Sequence, residues 1–193
     1  MHARRIHVAW AALVALAASL LLSAAPAPAQ AAPRCLGRRA TIVGNARNNQ
    51  LRGTRRADVI VARGGNDTIR GSGGNDRVCG GRGGDRISGD AGADRLSGGA
   101  GADLVIGDAG RDRLSGGPGD DLVAGEGGND TVLGAAGLDT LFGQAGRDLF
   151  NGGTGLDFAV FAFSRRRVNV NLASRRARGE GTDRLRAIEG VQG

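Results

Sequence analysis

The chain has 193 residues, of which 36 are glycine and 3% are aromatic, and its formal net charge at pH 7 is +7. Its two histidines, His2 and His7, lie in an N-terminal segment that has the pattern of a signal peptide. A mature chain without histidine excludes an H-E-x-x-H zinc site and any Ser-His-Asp or Cys-His arrangement, so we predict that the protein is not an enzyme.

Residues 1–31 have the three parts of a secretory signal peptide. Arg4 and Arg5 form a basic start, residues 8–22 form an apolar run, and the small residues at 27–31 offer a cleavage site. A retained membrane anchor is the alternative interpretation of the same apolar run. We predict a secreted, extracellular protein that has no membrane span once this segment is removed.

The chain has two cysteines, Cys35 and Cys79. An even number of cysteines in an exported chain favours a disulfide between them. Their spacing fits neither a zinc motif nor a redox motif. Two free thiols are the alternative.

Residues 32–57 carry a degenerate form of a pattern that becomes regular from residue 58. Ile42 and Leu51 keep its apolar phase, but Ala40 and Asn49 stand where aspartate is found in the later units. The terminal repeats of a repeat protein are atypical because they cover the open end of the stack. We predict that 32–57 is an N-terminal cap of two half-turns without bound metal.

Residues 58–160 consist of a nine-residue unit at fixed phase. Each unit has an aspartate, an apolar residue two positions after it and, from the second unit onward, a glycine two positions before it. The aspartates are Asp58, Asp67, Asp76, Asp85, Asp94, Asp103, Asp112, Asp121, Asp130, Asp139, Asp148 and Asp157. The glycines are Gly65, Gly74, Gly83, Gly92, Gly101, Gly110, Gly119, Gly128, Gly137, Gly146 and Gly155. A second glycine opens most units, as at Gly71 and Gly107.

The unit reads G-G/x-x-G-x-D-x-U-x, where U is apolar, and it resembles the nonapeptide of calcium-binding RTX (hemolysin-type) proteins. The resemblance implies an all-β fold, a parallel β-roll or right-handed β-solenoid of about seven coil turns. It also implies several Ca²⁺ ions between stacked turns, bound by the aspartate side chains and by the carbonyl groups of the glycine turns. By this resemblance the metal ligands come from the aspartates and glycines given above.

The length of the unit fits a turn of about six residues followed by a strand of about three. Two units would make one turn of a flattened coil, so residues eighteen positions apart become neighbours. One apolar residue per strand contributes at best about 1.5–3 kcal/mol, against about 1–2 kcal/mol for ordering the backbone of each residue. Calcium, a hard cation that takes six to eight oxygen ligands, would offset this shortfall, and we predict folding on calcium binding.

Two other interpretations of the aspartates are weaker. A role in ending turns alone would allow Asn or Ser in some units, and none of the eleven from Asp67 to Asp157 is replaced. Acid pairs of the glycosidase type do not require a strict nine-residue period.

An apolar stripe is predicted on the outer face of one sheet, in the later turns. Its residues are Leu104, Leu122, Thr140 and Phe158, with Ile106, Ala124, Phe142 and Val160 beside them. A large exposed apolar patch usually has a partner. The partner is either the chain's own tail or another extracellular protein.

The tail, 161–193, is predicted to form a strand pair that caps the roll, because residues 168–172 alternate between apolar and polar. It holds eight arginines against three acidic residues. The arginine clusters at 165–167 and 175–178 favour either an anionic cell-envelope polymer as partner or simple solvated surface charge. Nucleic acid is not expected, because the interleaved aromatic residues that bind single strands are absent.

Overall fold

The structure, a computed structural model, describes residues 32–161, 169–171, 176–178 and 182–192. These residues form strands and turns, and none of them belongs to a helix that would be long and apolar enough to span a bilayer. The predicted signal segment, 1–31, and most of the arginine clusters of the tail lie outside the described residues.

The strands are short and follow one another closely. In chain order they are β1 (Arg34–Cys35), β2 (Arg38–Arg39), β3 (Ile42–Val43), β4 (Gln50–Arg52), β5 (Val59–Gly64), β6 (Thr68–Arg70), β7 (Arg77–Arg82), β8 (Arg86–Ser88), β9 (Arg95–Ala100), β10 (Leu104–Ile106), β11 (Arg113–Pro118), β12 (Leu122–Ala124), β13 (Thr131–Ala136), β14 (Thr140–Phe142), β15 (Leu149–Thr154), β16 (Phe158–Val160), β17 (Asn169–Asn171), β18 (Arg176–Arg178), β19 (Thr182–Arg186) and β20 (Gly190–Gln192).

The strands wind into a β-solenoid of about seven turns with two stacked sheets. In one sheet the order is β20-β16-β14-β12-β10-β8-β6-β4, and in the other it is β17-β18-β19-β15-β13-β11-β9-β7-β5-β3. Strands from β3 to β16 pair in parallel with an offset of eighteen residues, as Val105 pairs with Val123. The predicted all-β parallel roll, with two units in each turn, is confirmed.

The core is one column of apolar residues from each sheet, because the middle residue of each three-residue segment points inward. These residues are buried: Ile60, Ile69, Val78, Ile87, Leu96, Val105, Leu114, Val123, Val132, Leu141, Phe150 and Ala159. Ile42 and Leu51 pack against one end of this cluster. Leu185, Ile188 and Phe161 pack at the other end, where the rings of Phe150 and Phe161 meet edge to face with centroids 5.9 Å apart.

The two sheets differ in strand length, which the sequence did not predict. The expected three-residue strands are found from β4 to β16 in one sheet, whereas the strands from β5 to β15 in the other have six residues. After the first three residues, pairing resumes one position later, as Gly81 with Gly99. These two glycines have φ of 121° and 122°, a conformation that brings the chain back into the ladder and that glycine adopts without steric cost.

The N-terminal hairpin β1–β2 lies against β5 and β7 and is attached there covalently. The predicted disulfide is present, with Cys35 of β1 bonded to Cys79 of β7. Arg77 Nη1 also donates a hydrogen bond to the carbonyl oxygen of Leu36 at 3.0 Å. The β1–β2 hairpin is therefore held on the outer face of the six-residue strands.

The C-terminal strands extend both sheets. β19 pairs in parallel with β15, and β20 pairs in parallel with β16. β18 is antiparallel to β19, and β17 is antiparallel to β18. The ring of Phe158 lies against Gly190, so β20 meets one end of the predicted apolar stripe.

Candidate metal centre

The predicted aspartates end the turns and form two columns, one along each edge where the coil passes between the sheets. Edge I carries Asp58, Asp76, Asp94, Asp112, Asp130 and Asp148, which precede the six-residue strands. Edge II carries Asp67, Asp85, Asp103, Asp121, Asp139 and Asp157, which precede the three-residue strands. All twelve are buried, and the most exposed, Asp58, has a relative accessibility of 8%.

A ladder of hydrogen bonds connects each aspartate with the next one in its column. The backbone N–H of Asp94 donates to Oδ1 of Asp112 at 2.8 Å, and the same bond recurs from Asp58 to Asp157 at 2.7–3.1 Å. One carboxylate oxygen of each acceptor is thereby satisfied by backbone. This explains why the carboxylates stack at the spacing of the strands.

The second oxygen of each carboxylate is buried without a hydrogen-bond partner. This is true of Oδ2 in Asp67, Asp76, Asp85, Asp94, Asp103, Asp112, Asp121, Asp130, Asp139, Asp148 and Asp157. A buried unpaired carboxylate oxygen is costly and is rarely left without a partner. These eleven atoms are therefore the strongest indication of a cation-binding site in the described part of the chain.

The opening glycine of each unit provides the space in front of that oxygen. A Cβ built on Gly107 would stand 2.6 Å from Oδ2 of Asp112 and 2.8 Å from the carbonyl oxygen of Gly125. A carboxylate oxygen and a turn carbonyl oxygen thus converge where glycine leaves room. Carboxylate and carbonyl oxygens are the donor set of a hard cation such as Ca²⁺.

The eleven glycines predicted as ligands from Gly65 to Gly155 lie in the same turns. All have positive φ, between 99° and 149°. The carbonyl oxygen of Gly74 lies directly against the Cα of Gly92, one coil turn later, so no Cβ fits there. These glycines bring the backbone of successive turns close together, which leaves their carbonyl groups near the aspartate columns.

Side chains alone do not complete a metal site. In the ranges that the structure describes, no three His, Cys, Asp or Glu side chains lie close enough to hold a metal ion. A cation at these turns would depend on backbone carbonyl oxygens in addition to the carboxylates. This fits calcium and does not fit zinc, which prefers nitrogen and sulfur ligands.

Burial raises the pKa of the column aspartates from Asp67 onward and makes them weaker acids. Burial first, and the neighbouring carboxylates second, raise the pKa of Asp94, Asp121 and Asp148 to about 7, although a backbone hydrogen bond to each opposes the shift. The same causes raise the pKa of Asp85, Asp112 and Asp139 to about 6. Without a cation, Asp94, Asp121 and Asp148 would therefore be partly protonated at neutral pH.

The first predicted ligand, Asp58, differs from the rest. Its Oδ2 accepts hydrogen bonds from the backbone N–H of Thr54 at 2.7 Å and from the Thr54 hydroxyl at 2.8 Å. In the opposite column, Asn49 occupies the aspartate position; its Oδ1 accepts from the N–H of Asn45 at 2.7 Å, and its Nδ2 donates to the carbonyl oxygen of Arg47 at 2.7 Å. At the N-terminal end of both columns, the side-chain oxygen at the aspartate position is therefore hydrogen-bonded by residues of its own turn.

Two members of the columns were not predicted from the sequence. Asp148 N–H donates to Oδ1 of Asp183 at 2.8 Å, and Asp157 N–H donates to Oε2 of Glu189 at 2.9 Å. Each continues a column after an interruption of the period. A signal was present for Asp183, because Leu185 follows it by two positions as the core residue follows each aspartate in the repeat, and Leu185 is buried.

The comparisons with known proteins agree with this geometry. The family model of the RTX calcium-binding nonapeptide repeat matches in four copies, at residues 43–78, 80–114, 106–141 and 125–159. No curated protein matches the chain.

Proposed function

The chain belongs to the RTX calcium-binding nonapeptide-repeat family, and from this premise we propose that it is an exported protein whose roll folds when calcium binds between its turns. The observation that carries the proposal is the set of eleven buried aspartate Oδ2 atoms without a hydrogen-bond partner. Calcium would occupy the space between each of these atoms and the carbonyl groups of the glycine turns.

The balance of charge supports folding on calcium. Within residues 53–160, sixteen acidic residues stand against eleven arginines, and eleven of the acidic side chains from Asp67 onward are stacked in the buried columns. Like charges about 4.8 Å apart repel one another. Divalent cations would remove that repulsion, and binding energy would become folding energy.

Export is supported by the disulfide between Cys35 and Cys79, because disulfides persist in oxidising compartments. We propose the division predicted above, with a signal peptide at 1–31, a cap at 32–57, a calcium-binding roll at 58–160 and a cap at 161–193. The bonds that satisfy Asp58 Oδ2 support a metal-free beginning of the roll. A repeat roll of this family is a structural or binding fold, and we propose no catalytic role.

The proposal is tested by circular dichroism of the purified protein in EGTA and then with excess Ca²⁺. We expect a disordered spectrum in chelator and a β spectrum with calcium, with Mg²⁺ at equal concentration as the control ion. A full β spectrum in EGTA, unchanged in melting temperature by calcium, would overturn the proposal.

A second candidate function is calcium-dependent adhesion through the apolar stripe, and Leu122, 40% exposed, favours it. Thr140 and Phe158 of the same stripe are half-buried. A pull-down from an envelope fraction with calcium, comparing the protein with a Leu122→Asp variant, tests it. Equal recovery of envelope material by both proteins would exclude the stripe as the adhesive surface.

A further inference from the structure

Edge I carries a second row of polar side chains that the nine-residue pattern does not require. These residues directly follow the opening glycines, and they are Ser72, Asp90, Asp108, Glu126 and Gln144. All five have positive φ, between 61° and 83°, and all are partly exposed. The three in the middle are acidic, so the central turns of edge I hold more carboxylates than the motif alone provides.

Edge II does not accept such a row. At the equivalent positions Gly81, Gly99, Gly117 and Gly153 have φ of 113–125°, and a Cβ on any of them would collide with a carbonyl oxygen of the preceding turn. The other two positions hold Arg63 and Ala135, neither of which is acidic. At four of these six positions, therefore, the backbone of edge II leaves no room for a side chain, in turns that begin within the six-residue strands.

The acidic residues of the second row lie close to one another. The hydroxyl of Ser88 lies 3.0 Å from Oδ1 of Asp90 and 2.6 Å from Oδ2 of Asp108. The Ser88 hydroxyl has one proton, so it can donate to only one of these two carboxylates at a time. Arg70 Nη2 pairs with Asp90 Oδ1 at 2.8 Å and, among the residues that the structure describes, is the cation that forms an ion pair with an acidic member of this row. Asp108 and Glu126 form no ion pair within the described part of the chain.

The unpartnered Oδ2 atoms of the edge I aspartate column point towards the second row. Oδ2 of Asp112, a residue with 3% relative accessibility, faces the Cα of Gly107, the residue immediately before Asp108. Asp94 has the same relation to Gly89, which precedes Asp90.

Resting on the proposed function, we propose that Asp108, together with Asp90 and Glu126, makes edge I the tighter calcium-binding edge, which fills before edge II. A carboxylate at roughly 7 Å from a divalent ion strengthens binding about fivefold to tenfold even at the dielectric constant of water. Asp90 contributes less than Asp108 because Arg70 compensates part of its charge.

The test is equilibrium dialysis with radioactive Ca²⁺, which counts the ions bound at each free calcium concentration. Asp108→Asn is compared with Asp120→Asn, which also removes one carboxylate but lies on edge II. Asparagine tolerates the positive φ at residue 108, and at residue 120 it keeps the acceptor for the N–H of Leu138. A triple variant, Asp90→Asn with Asp108→Asn and Glu126→Gln, extends the comparison.

We expect the first ions to bind wild type and Asp120→Asn at the same free calcium. Asp108→Asn should need about fivefold more free calcium than wild type to bind its first ions, and the triple variant should need at least tenfold more. Equal shifts for Asp108→Asn and Asp120→Asn, or no shift for either, would overturn the inference and leave the proposed function standing. No bound calcium in wild type would overturn both.

Discussion

The backbone N–H of Asp148 donates a hydrogen bond of 2.8 Å to Oδ1 of Asp183, which lies 35 residues later in the sequence instead of the usual 18. The nine-residue period would have placed Arg166 in that position of the column. Asp183, which is 6% exposed, occupies that position instead. The tail is thus bonded to the roll by the same contact that holds successive turns together.

Replacing Asp183 tests whether this contact secures the tail. We expect Asp183→Ala to lower the free energy of unfolding by about 1–3 kcal/mol, because the buried N–H of Asp148 loses its acceptor. Asp183→Asn keeps an acceptor oxygen and should lose less than half as much. Urea unfolding at saturating calcium measures both, and an alanine variant as stable as wild type would contradict the prediction.

Two glycines that differ in the space available for a Cβ form a second test. At Gly107 a Cβ would meet both Oδ2 of Asp112 and the carbonyl oxygen of Gly125, so Gly107→Ala should weaken calcium binding and lower the melting temperature by several degrees. At Gly127 the nearest atom would be 3.6 Å away, and the paired neighbours in its column are Ala109 and Ala145. Gly127→Ala should be neutral or stabilising by about 0.4–1 kcal/mol.

The comparison of the two glycine variants is made by calorimetric melting with excess calcium. Equal losses in both would show that chain entropy, and not the space in front of the carboxylate, decides the need for glycine.

The raised pKa values of the columns predict an unusual pH dependence for the metal-free chain. Burial raises the pKa of Asp94 and Asp148 to about 7, well above the ordinary value of 3.8 for an aspartate. A carboxyl group with a higher pKa in the folded chain binds protons more tightly there, so its contribution to stability is complete below about pH 4 and is lost as pH rises through 7.

We therefore expect the calcium-free protein to gain β signal on acidification from pH 7.5 to pH 4.5, measured by circular dichroism in calcium-depleted buffer. Calcium should bind more weakly over the same range, since protons compete for the same oxygens. A β signal that falls on acidification without calcium would contradict the assignment of these carboxylates as buried in the folded state.

The disulfide between Cys35 and Cys79 closes a segment with a sequence separation of 44 residues. Cross-linking restricts the unfolded chain, so Cys35→Ser combined with Cys79→Ser should cost about 2–4 kcal/mol. Ser97→Ala is the control, because Ser97 pairs with Cys79 in the next turn on the same face. Chemical unfolding at saturating calcium measures the loss, and equal stability of the double variant and the control would contradict the prediction.

The sequence predicted the parts of the fold that repeat. The pairing of Val105 with Val123 follows from two nine-residue units in each turn, and a period of that length leaves few other arrangements. The buried aspartate columns were predicted for the same reason. The period did not predict the two places where the pattern is broken. These are the bond from Asp148 to Asp183 and the hydrogen bond that Oδ2 of Asp58 accepts from its own turn.

The difference between the edges was also hidden from sequence reasoning. Asp90 and Asp108 stand at a position that varies along the chain, and a consensus pattern treats such positions as interchangeable. Only the three-dimensional arrangement separates them from Gly81 and Gly99, which occupy the same place in the unit but face a carbonyl group at the other edge. Alternate units of one motif therefore have different surroundings.

The hydrogen bonds between the aspartates all have the same polarity. In each rung, as from Asp94 to Asp112, the donor comes earlier in the chain than its acceptor. The donor of every rung is synthesised first. Each nascent repeat can therefore form this bond only after the ribosome has synthesised the acceptor aspartate one coil turn later. The last acceptors of the columns, Asp183 and Glu189, are synthesised after all the nine-residue units whose columns they complete.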